Sequence, residues 1–188
     1  MADRPASTAS GLAPRGLVDG EALTEVAPGI FYGREPLVVA DDRLVGFLKA
    51  QARANAVRRA RLCAHPAADA FQHDMLIVSH RDTYVAPHRH RSKSESFVVI
   101  EGEAEVFVFE EDGSVSERFV MGAAASGLPF FYRMPTGRYH SLLIRSELLV
   151  FVESTIGPFV KSDMEEAPWA PPASDAAAGR AYLSGLGN

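Results

Sequence analysis

The chain contains a single cysteine, Cys63, in 188 residues. One thiol cannot close an internal disulfide, so the fold must rest on packing, and this usage suits a reducing compartment. Set between Leu62 and Ala64, Cys63 reads as a small buried hydrophobe rather than a nucleophile. Basic excess is missing as well. Nineteen Lys and Arg against 24 Asp and Glu give a net charge of −5, which offers no electrostatic footprint for nucleic acid. No apolar run approaches the roughly 20 residues that span a bilayer. Residues Met1 to Gly20 are rich in Ala, Ser, Pro and Gly and lack the apolar core of a signal peptide. The expectation is a soluble, cytoplasmic protein that meets a small-molecule ligand, with no nucleic-acid or membrane partner.

Helices between strands are also scarce, which excludes a doubly wound α/β sheet. What is present is a series of short β runs: Met75–Val78, Thr83–Val85, Ser96–Ile100, Ala104–Phe109, Arg118–Val120, Pro129–Met134, Ser141–Ile144 and Leu148–Glu153. Gly or Pro separates several of them, and Glu111-Asp112-Gly113-Ser114 reads as a hairpin turn. Such a series predicts a mainly β fold, a sandwich or barrel. Ahead of it, Asp41 or Asp42 offers an N-cap, and Leu44, Val45, Phe47, Leu48, Ala52 and Val57 recur at helical spacing to about Arg59. This amphipathic helix is expected on the outside of a sheet. The chain therefore divides into 1–25 without fixed structure, 26–70 as a strand and helix extension, 71–160 as the β-barrel, and 161–188 as a C-terminal segment, loose after about 171. Extensions of this kind cover or exchange sheet edges, which predicts a homodimer.

Two segments carry chemistry. Residues 87–95 read Pro-His-Arg-His-Arg-Ser-Lys-Ser-Glu, and residues 135–140 read Pro-Thr-Gly-Arg-Tyr-His. His88 and His90 stand two apart, so on a strand both leave the same face. Glu95 follows across a polar stretch, and His140 comes after a Pro-x-Gly turn. Three imidazoles and one carboxylate make a cage suited to one divalent transition metal; iron, manganese, nickel and zinc all accept these donors. No thiolate is at hand for a structural zinc knot. The plainer reading is a pair of surface histidines beside an unrelated glutamate.

His88-x-His90-x4-Glu95-x6-Gly102 and Pro135-x-Gly137-x2-His140 resemble the two motifs of the cupin superfamily. The likeness departs at its edges, where Asp82 takes the place of a leading glycine, Leu128-Pro129 offers none, and Ile144 replaces a trailing asparagine. A closer likeness runs from about residue 26 to 171. Arg59-Ala60-Arg61-Leu62-Cys63-Ala64-His65, Tyr84 to His90, Gly157-Pro158-Phe159 and Ala167-Pro168-Trp169-Ala170-Pro171 resemble the WbuC-type cupin-fold metalloproteins. The resemblance implies a cupin-type double-stranded β-helix, a jelly-roll barrel with an N-terminal amphipathic helix, in a bacterial protein sometimes linked to surface-polysaccharide genes. It also implies that Arg59, Arg61 and His65 reach the pocket mouth and hold an anionic group. The alternative is that these arginines are helix-end charges and His65 caps a loop.

Three further residues stand near the cage. Glu153 ends the apolar run Leu149–Val152; turned inward it is a candidate base or arginine partner, turned outward merely the polar end of a strand. Tyr139 is a weaker catalytic candidate beside His140, and Arg133 is a possible cation nearby. His73 and His80 read as surface or rim residues. The leading expectation is a metal-dependent enzyme acting on a small polar or anionic metabolite, such as a sugar derivative. Isomerisation, epimerisation and oxygen-dependent cleavage all remain open. The alternative is a non-catalytic, metal-bound sensor or binding protein.

Overall fold

The computed structural model describes residues 22–187, so residues 1–21, which include most of the stretch expected to lack structure, lie outside the described residues. The described chain is mainly β, built as two sheets. In chain order the strands are β1 (Leu23–Ala27), β2 (Ile30–Gly33), β3 (Arg59–Cys63), β4 (Gln72–His80), β5 (His88–His90) and β6 (Glu95–Glu101). They continue as β7 (Glu103–Phe109), β8 (Val115–Gly122), β9 (Phe131–Met134), β10 (Tyr139–Ile144), β11 (Leu148–Ile156) and β12 (Met164–Glu166). One sheet runs β1-β2-β3-β4-β11-β6-β9 and the other β12-β5-β10-β7-β8. Thr83–Val85 forms no strand, as befits a segment that runs into Pro87. β1 begins at Leu23, which is buried, so order starts before the boundary expected at residue 25.

Alternation along each strand decides what each face does. Cys63, Met75, Ile77, Phe97 and Phe151 from the first sheet meet Ala104, Val106, Met121, Leu142 and Ile144 from the second in one buried cluster. On the opposite face of the first sheet, Ala60, Leu62, Val78 and Val150 pack beneath α1 (Asp42–Ala54) through its Leu44, Leu48 and Ala52. β2 pairs with β3 in parallel, which requires a crossover, and α1 supplies it. The turn from β6 to β7 passes through Gly102 at φ 85°, where an added Cβ would lie 2.3 Å from the Leu148 carbonyl oxygen. Only glycine fits there.

The boundaries of α1 correct the sequence reading at its far end. Asp41 caps the start, its Oδ1 accepting from the Arg43 and Leu44 amides at 3.1 Å each. The helix stops at Ala54 rather than near Arg59. The Asn55 side chain donates to the Arg59 carbonyl at 2.7 Å and accepts from the Arg59 amide at 3.3 Å, and Arg58 takes φ 56°. These contacts turn the chain back into β3, so Arg59 and Arg61 are strand residues and not helix-end charges.

The C-terminal segment is not loose after residue 171. α2 (Ala176–Gly185) forms there, with Asp175 Oδ1 accepting from the Ala178 amide at 3.0 Å. Its sequence is rich in alanine, the strongest helix former. Leu183 buries against Phe107, Phe109 and Tyr139 on the outer face of the second sheet, and Trp169 closes the same cluster.

Candidate metal centre

β5 and β10 are adjacent antiparallel strands, and their register places His88 directly opposite His140. Their rings lie 4.5 Å apart, centroid to centroid. Glu95 starts β6 in the other sheet and reaches across the interior, where it is 5% exposed. One ligand atom each from His88, Glu95 and His140 lies within 4.8 Å of the others. His90 stands at the margin of this group. Its Nε2 is 3.4 Å from Glu95 Oε2, while its ring is 6.2 Å from that of His140.

Hydrogen bonds prepare two of the imidazoles as donors. His88 Nδ1 faces the Ala86 carbonyl at 2.9 Å, and His140 Nδ1 faces the Arg138 carbonyl at 3.0 Å. A carbonyl can only accept, so Nδ1 carries the proton and Nε2 keeps its lone pair. His140 Nε2 is buried without a hydrogen-bond partner, although Glu95 Oε1 is 3.1 Å away. Two donors each about 2.1 Å from one ion at right angles would stand roughly 3 Å apart. The donor set and its spacing thus fit a divalent first-row ion.

Electrostatics bind the group together. Burial pushes the Glu95 carboxyl up, but His140 and His90 outweigh it and hold the carboxyl well below its ordinary range. Burial, reinforced by His140, lowers His88 to about 4, so His88 is neutral, as a ligand must be. Against its burial, Glu95 raises His140.

Sequence reasoning missed two neighbours. Tyr132, stacked on Phe97, donates its hydroxyl to Glu95 Oε1 at 3.1 Å. It sits within a run read only as a strand, and alternation from Met134 was the one available signal. Asp163 lies far along the chain and is held by the Ser92 amide at 2.8 Å and the Ser92 hydroxyl at 2.5 Å. Its Oδ2 is 3.7 Å from His90 Nδ1, and both atoms are buried without hydrogen bonds. No local pattern could have found it.

The cluster opens onto a cavity of about 460 Å³ between the sheets. Arg59, Arg61 and His65 all line it, as does Glu153. Glu153 stands in register between Met75 and Phe97. It has no ion-pair or hydrogen-bond partner among the described residues, and burial, with Glu95 adding to it, pushes its carboxyl up to about 7. His65 stacks flat on His73 with ring centroids 3.9 Å apart. His73 and His80 are both buried, not rim residues: the first belongs to the cavity wall, and the second packs beside Arg58.

Tyr139 is a second correction. It precedes His140 on a strand and so must point the other way. It lies in the outer cluster with Trp169, under the Arg89 guanidinium at 4.4 Å, and cannot reach the cavity. Arg133 likewise turns out, to the Ser94 hydroxyl at 3.0 Å.

Residues 40–121, less than half of the chain, match a family described as Domain of unknown function (DUF6016). No curated protein matches the sequence. Among solved structures, Lactobacillus farciminis oxalate decarboxylase in a formate complex is 18% identical over 51% of this chain and 26% of its own, with a TM-score of 0.41. The capsular polysaccharide assembling protein CapF of Staphylococcus aureus is 16% identical over 52% of this chain and 27% of its own, with a TM-score of 0.43. A protein of Shewanella oneidensis is 14% identical over 65% of this chain and 77% of its own, with a TM-score of 0.46. The chain spans about a quarter of the length of the first two. Among the described residues no helix is long and apolar enough to cross a membrane.

Proposed function

We propose that this chain is a WbuC-type cupin whose His88, His90, Glu95 and His140 hold one divalent metal, and that it acts as an enzyme on a small anionic metabolite, a sugar acid being one candidate. The observation that carries this reading is the convergence of His88, Glu95 and His140 donors at the wall of a sizeable cavity. When bound, the ion supplies Lewis acidity and open positions for substrate oxygens. The chain's own groups do the rest. Arg59 and Arg61, with His65 beside them, receive the anionic charge, for which guanidinium is suited. Phe97 and Phe151 exclude water from the cavity wall, which strengthens every charge contact inside it. Glu153, titrating near neutrality, holds the proton that an isomerisation or epimerisation must move.

Elemental analysis of purified protein tests the assignment. About one equivalent of metal per chain is expected, lost in the His140→Ala and Glu95→Gln proteins. Full retention by both variants would overturn it. We also assign the protein to the cytoplasm as a homodimer. β1 is an edge strand with Val26 exposed, an edge that a second copy could pair. A monomer mass by light scattering at micromolar concentration would remove the dimer.

A further inference from the structure

Two arginines in the cavity wall lack the partners that other arginines of this protein have. Arg53, Arg58, Arg89, Arg118 and Arg145 each meet a carboxylate within 4 Å. Among the described residues, neither Arg59 nor Arg61 has an ion pair. Arg61 Nε is fully buried without a hydrogen bond, and its Nη1 has only the Met75 sulfur at 3.9 Å. The two residues stand two apart on β3 and face the cavity together, while Ala60 and Leu62 between and beyond them pack beneath α1. Arg59 is exposed and Arg61 half-buried, but a buried guanidinium nitrogen such as Arg61 Nε is costly without an acceptor, and a cavity is where an acceptor can arrive.

The register shows how far this pair lies from the histidine and glutamate cluster. Arg61 is on β3 and Glu95 on β6, with β4 and β11 between them. Arg61 pairs with Ile77, and Ile77 with Phe151; Glu153, two residues further along β11, faces the same cavity on the way to Glu95. Three strand spacings of about 4.8 Å set the two backbones roughly 14 Å apart. An arginine side chain reaches roughly 6 Å by its bond lengths and a glutamate roughly 3 Å, which leaves a gap of about 5 Å before the offset along the strands. One carboxylate cannot touch both ends.

We propose that the ligand is a bifunctional anion: an oxygen-chelating head, as in a 2-hydroxy or 2-oxo acid, joined by a body to a remote carboxylate or phosphate that Arg59 and Arg61 receive. The head rests on the metal reading given above; the remote anion does not. A cavity of about 460 Å³ accommodates such a molecule. The wall between the two ends carries Ile77, Phe97 and Phe151 beside the Glu153 carboxyl, so the body meets both apolar surface and one polar group.

Isothermal titration separates the two ends. The probes are glycolate, malate, 2-hydroxyglutarate and 2-hydroxyadipate on protein of known metal content, with 3-phosphoglycerate as the phosphate arm. The second anion should tighten binding at least ten-fold over glycolate, with the gain growing as the body lengthens beyond malate. Arg59→Met and Arg61→Met should each cancel most of that gain and leave glycolate affinity and metal content unchanged, while Arg61→Lys should keep part of it. The stronger of the carboxylate and phosphate arms identifies the remote group. Equal affinity for glycolate and every longer probe, or equal losses for all probes in the arginine variants, would overturn the proposal. A protein that binds no metal would sink the metal reading alone. Succinate and inorganic phosphate, titrated into that protein, should still bind wild type more tightly than Arg61→Met, and failure of that difference would overturn the remote site.

Discussion

Glu105→Gln should cost about 2 kcal/mol of stability at pH 7 and a smaller part of that at pH 3.5. Glu105 faces outward from β7 beneath α2, yet it is only 2% exposed. Its Oε2 accepts from Arg145 Nη2 at 2.5 Å and Nε at 3.2 Å, and its Oε1 accepts from Arg118 Nε. Arg118 also donates to the Gly187 carbonyl at 2.8 Å, so the carboxylate ties β7, β8, the β10–β11 turn and the end of α2 together. Breaking a fully buried pair costs about 3–5 kcal/mol because a charge is stranded. Here the two arginine side chains are 37% and 45% exposed, and water can recover them, which pulls the cost down toward that of one charge-assisted hydrogen bond, about 2 kcal/mol. Burial raises the Glu105 carboxyl, but the two arginines more than offset it, so its folded pKa lies below the unfolded value. Its contribution is therefore complete above the unfolded value, near 4.3, and is lost as pH falls through the folded one. Urea unfolding of both proteins at pH 7, 5 and 3.5 should show a gap between midpoints that narrows as pH falls, with unchanged slopes. A gap as wide at pH 3.5 as at pH 7 would mean that the glutamine damages packing and that the ion pair does little.

Three other substitutions test the fold and the centre. Tyr132→Phe removes the hydroxyl from Glu95 and should weaken metal binding about ten-fold, measured by chelator competition. Gly102→Ala forces an L-residue to positive φ against the Leu148 carbonyl and should cost roughly 2 kcal/mol or more in chemical denaturation. Leu183→Ala empties the contact between α2 and the second sheet and should cost about 2–3 kcal/mol, with proteolysis beginning in the C-terminal segment.

Much of the architecture was legible because strand alternation is a local signal. The hairpin at Asp112-Gly113 joins β7 to β8, and the Ser96–Ile100 and Ala104–Phe109 runs fall inside β6 and β7 with boundaries shifted by a residue. His88 and His90 could be placed on one strand from their spacing, and Glu95 and Phe97 on one face, for the same reason. The α2 helix was illegible because an Ala and Gly rich tail has little apolar pattern of its own. Its Leu183 is informative only once Phe107 and Phe109 are known to present an uncovered apolar face. Asp163 was out of reach because its partner, Ser92, lies 71 residues away.

The misplaced Tyr139 and the overlong helix each come from reading neighbours in sequence as neighbours in space. Proximity in sequence to His140 drew Tyr139 into the site, whereas the pleat sends neighbours to opposite faces, and Arg89 and Trp169 claim the outer one. Helical spacing carried α1 on to about Arg59, whereas Asn55 ends it three residues after the buried Ala52 and hands the chain to β3. Once Arg59 and Arg61 are on a strand, the same period of two that removes Tyr139 from the cavity puts both arginines into it. The cap at Asn55 therefore bears on function as well as on the fold: a helix continued to Arg59 would have left the cavity without these two arginines.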